Sequence, residues 1–244
     1  MRFIYFFYGI TTYLIFFATF LYAIGFVGNF IVPKSMDSGA SGSLIEALLI
    51  NALLLSVFAI QHSVMARKSF KKAWAKIIPS TIERNTYVLF SSLALLLIFW
   101  QWRPMGDVIW DVSNTTLGSV LIGISLFGWF FVLISTFLLD HFELLGLKHA
   151  YCNLTGKEIS NNKFKTPGFY KFVRHPIYLG FTIAFWATPI MTTAHLLFAI
   201  ATLGYTLVGI YFEEKDLISA FGDEYLAYKS RVSMLVPLGL KNKG

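Results

Sequence analysis

RHPIYLGFTIAFWATPIMTTAHLLFAIATLGYTLVGIYFEE, residues 174–214, is the stretch of sequence that decides the fold. Its central run, 177–212, contains no Asp, Glu, Lys or Arg. As one helix that rises 1.5 Å per residue, this run would be about 54 Å long, whereas the bilayer core is about 30 Å thick. Pro189 and the sequence MTTAH at 191–195 interrupt the run near its middle. We therefore predict a hairpin of two membrane helices.

The rest of the chain has the same apolar character. Hydrophobic residues make up 56% of it and charged residues 14%, whereas soluble domains carry about 25% charge. The uncharged runs are unbroken, whereas barrel strands would alternate and be about 10 residues long. The fold class predicted is all-α: a polytopic integral membrane helical bundle in a single domain, 1–244. It would have about six spans, at 4–31, 44–66, 86–102, 117–139, 176–191 and 195–212.

The distribution of basic residues predicts the orientation in the membrane. If the N-terminus is cytoplasmic, 18 of the 20 Lys and Arg residues lie on the cytoplasmic side, as the positive-inside rule requires. We therefore expect both termini and the longer polar segments there. The net charge of +7 then reflects contact of 66–85 with anionic lipid. It does not indicate nucleic acid, and no obligate protein partner is evident.

The sequence shows neither a clear signal-peptide cleavage site nor a clear metal-ligand pattern. The N-terminus lacks a small-residue cleavage site after a short apolar core, so we expect the first span to be retained. Cys152 is the only cysteine, which excludes an intrachain disulfide and a multi-thiolate metal site. No other metal-ligand pattern stands out, and we expect no metal.

Two clusters of ionisable residues lie at predicted cytoplasmic ends of spans. His62 lies about one turn inside the second span, and either a plain hydrogen-bonded role or a functional one fits it. Asp140, His141 and Glu143 directly follow the fourth span. A carboxylate beside an imidazole orients a base and tunes its pKa, but a solvated helix end fits this second cluster too.

Two further clusters flank the terminal hairpin. Pro176 suits the first turn of a helix and holds His175 just ahead of the free N–H groups; Arg174 adds charge there. Glu213 and Glu214 stand about 100° apart around a helix axis, so one can face the bundle while the other meets water. Each cluster by itself also fits a membrane-edge anchor or an acidic helix end. A second short helix is predicted after Gly222, with side chains recurring on it at Tyr225, Tyr228 and Arg231.

Together, RHPIYLG at 174–180 and EEKDLISAFGDEYLAYKSRV at 213–232 resemble the superfamily of isoprenylcysteine carboxyl methyltransferases and phospholipid N-methyltransferases. The superfamily motifs are R-H-P-x-Y-x-G and E-E-x-x-L-x-x-x-F-G-x-x-Y-x-x-Y. Three more stretches, at 51–67, 82–104 and 140–151, are similar to bacterial methanethiol S-methyltransferases. Ser233 stands where that family often has proline.

This resemblance implies a cofactor, a reaction and a site. The cofactor would be S-adenosylmethionine, bound at the cytoplasmic end of the hairpin in a core of about 140–237. The reaction would be attack of the methanethiol thiolate on the sulfonium methyl group, which gives dimethyl sulfide at a bacterial inner membrane. The implied cofactor-binding residues are Arg174, His175, Tyr178, Leu179, Gly180, Glu213, Glu214, Tyr225, Tyr228 and Arg231. For the base that takes the thiol proton we predict His141, oriented by Asp140 or Glu143, with His62 as the second candidate.

Two alternatives stay open at this point. One is a sister membrane methyltransferase that acts on a prenylcysteine carboxylate or a phospholipid amine. The other is a non-enzymatic membrane protein of the type associated with nitric-oxide metabolism, which would not need the complete Glu-pair and Phe-Gly-Tyr-Tyr tail. The sequence does not tell which glutamate of 213–214 contacts the cofactor, nor does it give the oligomeric state.

Overall fold

The computed structural model describes residues 1–39, 42–158 and 164–237, and these residues are mostly helical. The α-helices are α1 (Arg2–Gly28), α2 (Leu44–Ala66), α3 (Lys68–Trp74), α4 (Ser80–Gln101), α5 (Thr116–Leu139), α6 (His141–Leu144), α7 (Leu147–Thr155), α8 (Pro176–Trp186), α9 (Thr193–Phe221) and α10 (Asp223–Arg231). A 3₁₀ helix covers Gly168–Lys171. Two short strands, β1 (Val108–Asp111) and β2 (Ile190–Thr192), pair in a two-stranded sheet.

In the part of the chain that the structure describes, five helices are long and apolar enough to cross a membrane: α1, α2, α4, α5 and α9. They leave large apolar side chains on their outer surfaces, for example Leu49, Leu53 and Ile60 of α2. Apolar surface of this extent is stable in lipid and not in water. The prediction of an integral membrane helical protein is thus confirmed.

The fifth predicted span, 176–191, is shorter than expected. Its helix, α8, stops at Trp186 after 11 residues, or about 16 Å at 1.5 Å per residue. Thr188 precedes Pro189 and is therefore driven away from helical geometry. Its hydroxyl donates to Ile190 O at 2.7 Å, and the chain then enters β2. Turn chemistry around Pro189 therefore replaces the last helical turn that apolar composition predicts.

The last span is longer than predicted. Helix α9 runs from Thr193 to Phe221 over 29 residues, whereas the apolar pattern ends at 212. Glu213 and Glu214 therefore lie inside a helix and do not end it. Gly222 then adopts φ 53°, a region that favours glycine, and α10 begins at the next residue, as predicted.

The chain divides into two compact units. The first contains Met1–Trp110, His141–Ser160 and Met191–His195. Within it, α4 packs against both α1 and α2, and α7 packs against α1. Asn51 of α2 exchanges two hydrogen bonds with the backbone of Arg103, at 2.7 and 2.9 Å. The buried side chain of Asn51 thus provides hydrogen-bond partners for the backbone N–H and carbonyl of Arg103, just after the end of α4.

The second unit contains Asp111–Asp140, Asn161–Ile190 and Leu196–Gly244. Its helices α5 and α8 pack closely because glycines face each other. A Cβ atom on Gly180 would lie 2.7 Å from Val132 Cγ2 and 2.9 Å from Gly128 O. Small residues allow this approach in membrane helices. The close contact fixes the start of α8, where the candidate site begins.

Candidate cofactor site and candidate base

The residues before α8 are held in place by the C-terminal segment of the second unit. Val173 and Ser233 form a parallel bridge. The N–H of Arg174 donates to Ser233 O at 2.8 Å, and that of His175 donates to Met234 O at 3.2 Å. Pro176 begins α8, as predicted. Two separate backbone contacts therefore fix the position of Arg174 and His175.

Glu214 is the centre of a cluster of four charged or polar side chains. Its Oε1 accepts from Arg174 Nε at 2.7 Å and from His175 Nε2 at 3.2 Å. Its Oε2 lies 2.6 Å from the ammonium of Lys229. We call Glu214, Arg174, His175 and Lys229 the Glu214 cluster. Because a carboxylate can only accept, Nε2 of His175 carries the hydrogen in this contact.

The two glutamates have different surroundings, as their 100° separation predicts. The Glu214 side chain is 8% exposed, whereas the Glu213 side chain is 46% exposed. Glu213 Oε2 lies 3.7 Å from Nδ1 of His175. Glu214 thus holds the cluster together, while Glu213 presents a carboxylate to solvent beside it.

Arg174 is tied to the tail as well as to Glu214. Its side chain is 10% exposed, and its Nη1 donates to the carbonyls of Lys229 and Val232. A guanidinium offers five donors in a fixed planar arrangement, and here it joins α8, α9 and the end of α10. Arg174 thus links Glu214 to the C-terminal segment.

Tyr225 and Tyr228 of α10 form a buried cluster with Val232, against which Phe164 and Phe221 pack. Burial raises the pKa of Tyr228 to about 12 and also raises that of Tyr225. Both phenols therefore keep their hydrogen at neutral pH. Tyr228 uses it to donate to the carbonyl of Tyr170.

The Tyr225 hydroxyl is different. The residue is 1% exposed, and its Oη has no hydrogen-bond partner among the described residues. Glu214 and Arg174 both act on it electrostatically, so it lies near the Glu214 cluster. A buried hydroxyl without a partner is costly, and a ligand at the cluster would remove that cost.

The other predicted cofactor-binding residues differ in their placement. The Tyr178 ring centroid lies 5.7 Å from that of His175, and a Cβ atom on Gly209 would lie 3.8 Å from Tyr178 Oη. Leu179 is half-buried in the first turn of α8. Gly180 packs against α5, and exposed Arg231 donates to Ala227 O at 3.2 Å. Tyr178 thus lies at the cluster, while Gly180 and Arg231 are engaged elsewhere.

Sequence reasoning missed Lys229. Lys229 lies in an amphipathic tail that contains several other basic residues. Its contact with Glu214, which only the structure shows, distinguishes it from them. The helical spacing offered a signal, since Lys229 follows Tyr225 by four positions and so shares its face of α10. Phe164, which packs on both tyrosine rings at 5.7 and 5.3 Å, had no sequence signal.

The principal candidate base lies in the first unit. His141 is 2% exposed, and its Nε2 lies 3.1 Å from the hydroxyl of Tyr13. Glu143 pairs with Lys148 at 2.7 Å. A buried imidazole next to a phenol is suited to proton transfer.

Asp140 belongs to the second unit and has an unusual backbone. Its φ is 153°, in the region that favours glycine, and it ends α5. A non-glycine residue in such a conformation is strained, and strain of this kind concentrates at functional sites. The catalytic role of Asp140 stays a prediction.

His62, the second candidate base, is engaged at both ring nitrogens. Ser91 Oγ donates its one hydrogen to Tyr87 O at 2.9 Å, so it accepts from His62 Nδ1 at 3.0 Å. Nε2 of His62 then accepts from the Tyr87 hydroxyl at 2.8 Å. His62 would have to give up a hydrogen bond in order to take a proton.

Comparison with known proteins identifies relatives along nearly the whole chain. The profile of the phospholipid methyltransferase family matches residues 120–224. Methanethiol S-methyltransferase 1 from Bradyrhizobium diazoefficiens is 57% identical over 236 residues, which cover 97% of this chain and 83% of the relative. Methanethiol S-methyltransferase from Mycobacterium tuberculosis is 50% identical over 230 residues, 94% of each chain.

A more distant relative is nurim from Xenopus laevis, 31% identical over 155 residues, which cover 60% of this chain and 54% of the relative. No solved structure is significantly similar to the chain. The matched region 120–224 contains Arg174, His175, Glu213 and Glu214, and the two enzymes named above match well beyond it. The resemblance of the motifs is thus confirmed, and the chain belongs to the methanethiol S-methyltransferase family of membrane methyltransferases.

Proposed function

We propose that this protein transfers a methyl group from S-adenosylmethionine to methanethiol and so produces dimethyl sulfide. The observation that carries the proposal is the Glu214 cluster, a prearranged set of charges that includes the residues of both sequence motifs. The names of the relatives at 50–57% identity support the thiol as substrate. The phospholipid methyltransferase profile supports the reaction class.

The described residues fit this cofactor. The orphaned Tyr225 hydroxyl is a buried hydrogen-bond donor and acceptor, and a ribose or an amino-acid head group can partner it. The half-buried ring of Tyr178, whose centroid lies 5.7 Å from that of His175, provides a π face, which attracts a sulfonium charge. The exposed carboxylate of Glu213 lies 3.7 Å from Nδ1 of His175. Together these groups support binding of a polar ligand with a positive charge.

S-adenosylmethionine, when bound, would supply an electrophilic methyl group whose bond to the sulfonium breaks as the thiolate sulfur bonds to that carbon. The task of this chain is to hold the acceptor near attack distance, about 3–3.5 Å. Arg174 and His175 keep Glu214 in one orientation, which preorganises the site. An apolar surrounding helps as well, because thiolate and sulfonium charges cancel in the reaction.

For the thiol proton we propose His141 as the acceptor. A thiol is mostly protonated at neutral pH, and the thiolate is the nucleophile. Tyr13 orients the imidazole through its contact with Nε2. Asp140 or Glu143 would stabilise the imidazolium that forms.

We further propose that the site opens to the cytoplasm and that both termini lie there. The bias of basic residues supports this orientation. A membrane-impermeant maleimide tests it in a Cys152→Ala background. Cysteine at Asp107 should be labelled in intact cells, and cysteine at Lys76 only after lysis. The reverse pattern would reject the orientation.

One experiment tests the function directly. Detergent-purified protein is incubated with S-adenosylmethionine and methanethiol, and the headspace is assayed for dimethyl sulfide. We expect turnover that depends on both substrates. Turnover of phosphatidylethanolamine or a prenylcysteine, with no dimethyl sulfide, would instead favour a sister methyltransferase. Calorimetry with S-adenosylhomocysteine tests binding apart from turnover, and Glu214→Ala and His175→Ala should abolish it.

A further inference from the structure

The Glu214 cluster ends in two exposed groups of opposite charge. Glu213 Oε2 lies 3.7 Å from His175 Nδ1, His175 Nε2 lies 3.2 Å from Glu214 Oε1, and Glu214 Oε2 lies 2.6 Å from Lys229 Nζ. The two inner members are buried, whereas the Glu213 and Lys229 side chains are 46% and 39% exposed. The contacts thus form a chain with an anion at one end and a cation at the other.

The outer groups retain capacity to bind a ligand. An ammonium carries three donors, and the contact with Glu214 Oε2 uses one of them. Arg174 is less suited to this role, because its contacts with Glu214 and with the carbonyls of Lys229 and Val232 fix it in place. Lys229, on a flexible exposed stem, is therefore the cation of the cluster that can reach an anion.

We infer that Glu213 and Lys229 together bind the amino-acid head group of the cofactor, with Glu213 at its ammonium and Lys229 at its carboxylate. This inference rests on the proposed function. In S-adenosylmethionine, the ribose and the adenine are neutral and the sulfonium carries a single positive charge. Only the amino-acid head group carries both an anion and a cation, as the two ends of the cluster require.

Lys229 also has a role before the cofactor arrives. Glu214 is buried beside a second carboxylate, Glu213, and the ammonium of Lys229 offsets this negative charge together with Arg174. One lysine thus stabilises the cluster and receives the cofactor carboxylate.

The test compares three ligands by isothermal titration calorimetry on the full-length protein in detergent. S-adenosylhomocysteine has the complete head group, decarboxylated S-adenosylmethionine lacks the carboxylate, and 5′-methylthioadenosine lacks the whole head group. Lys229→Gln should weaken binding of S-adenosylhomocysteine about tenfold, as expected for loss of one charged hydrogen bond. The same variant should weaken binding of the other two ligands less, because they lack the carboxylate and are affected only through the lost contact of Lys229 with Glu214.

Glu213→Gln provides the complementary result. This variant should lower the affinity for the two ligands that retain the ammonium, S-adenosylhomocysteine and decarboxylated S-adenosylmethionine. Its affinity for 5′-methylthioadenosine should not change. Matched controls are Lys215→Gln, whose ammonium lies over the Tyr211 ring at 4.4 Å, and Glu224→Gln in the first turn of α10. Neither control should change any of the three affinities.

The outcomes separate this inference from the proposed function. If the wild-type protein binds none of the three ligands, the proposed cofactor is wrong and the inference falls with it. If the wild type binds but Lys229→Gln weakens all three ligands equally, the cofactor stands and the head-group assignment is overturned. Should Lys229→Gln unfold, Lys229→Arg replaces it: with its charge kept, it should still prefer S-adenosylhomocysteine over 5′-methylthioadenosine, and loss of that preference would count against the assignment.

Discussion

Arg174 and Glu214, forty positions apart in the chain, meet through a 2.7 Å contact between Nε and Oε1. Both side chains are about nine-tenths buried. The contact joins the residues that precede α8 to a position about two turns before the end of α9. Apolar composition alone would have ended this helix before Glu214. It brings the two sequence motifs into one site.

We predict that removal of either partner destabilises the second unit. Glu214→Ala leaves Arg174 as a buried cation with one partner fewer, and such losses cost about 3–5 kcal/mol. Thermal unfolding of the purified protein in detergent measures the effect. Glu213→Ala is the matched control, because its exposed carboxylate should matter much less to stability. Equal unfolding temperatures for the two variants would contradict the structural role of Glu214.

Tyr225 and Tyr228 should respond differently to loss of the hydroxyl. Tyr228→Phe leaves the carbonyl of Tyr170 without its donor and should cost about 1–3 kcal/mol of stability. Tyr225→Phe removes a buried hydroxyl without a partner among the described residues, so the ligand-free protein should be as stable as before or more so. It should nevertheless bind S-adenosylhomocysteine more weakly. Calorimetry and thermal unfolding of both variants check this, and unchanged affinity in Tyr225→Phe would leave its orphaned hydroxyl unexplained by the cofactor.

Gly180 should be required for helix packing. Its added Cβ atom would lie 2.7 Å from Val132 Cγ2 and 2.9 Å from Gly128 O, so Gly180→Ala should cost about 1–3 kcal/mol through overpacking. Gly123 lies on the same helix as Gly128 and has no atom within 4 Å of an added Cβ. Gly123→Ala is thus the control and should not destabilise the protein. If Gly123→Ala lowers the unfolding temperature more than Gly180→Ala does, the α5–α8 contact is looser than these distances indicate.

His141→Ala should lower turnover without loss of cofactor binding. Removal of a general base typically costs about 10²–10⁴ in rate. The deficit should shrink as pH rises, since methanethiol then ionises without help from the protein. Headspace assays between pH 7 and pH 9 measure the trend against His149→Ala, a half-buried histidine of the same unit. If the loss of turnover is the same at every pH, His141 has a structural role. The acceptor of the thiol proton would then be water or His62.

The sequence by itself determined the membrane class, the helix start at Pro176, the different surroundings of Glu213 and Glu214, and the family. These features depend on composition, on local backbone chemistry and on helical periodicity, all of which act over a few residues. Only the tertiary structure decided that Lys229 joins Glu214 and that Gly180 packs against α5. It also decided that the Tyr225 hydroxyl has no partner within the ranges that the structure describes. Those features depend on contacts between segments tens of residues apart, and no local pattern encodes which of several basic or aromatic side chains will meet a given carboxylate. The early end of α8 and the extension of α9 lie between these cases, because apolar composition measures affinity for lipid, whereas hydrogen bonds decide where a helix stops.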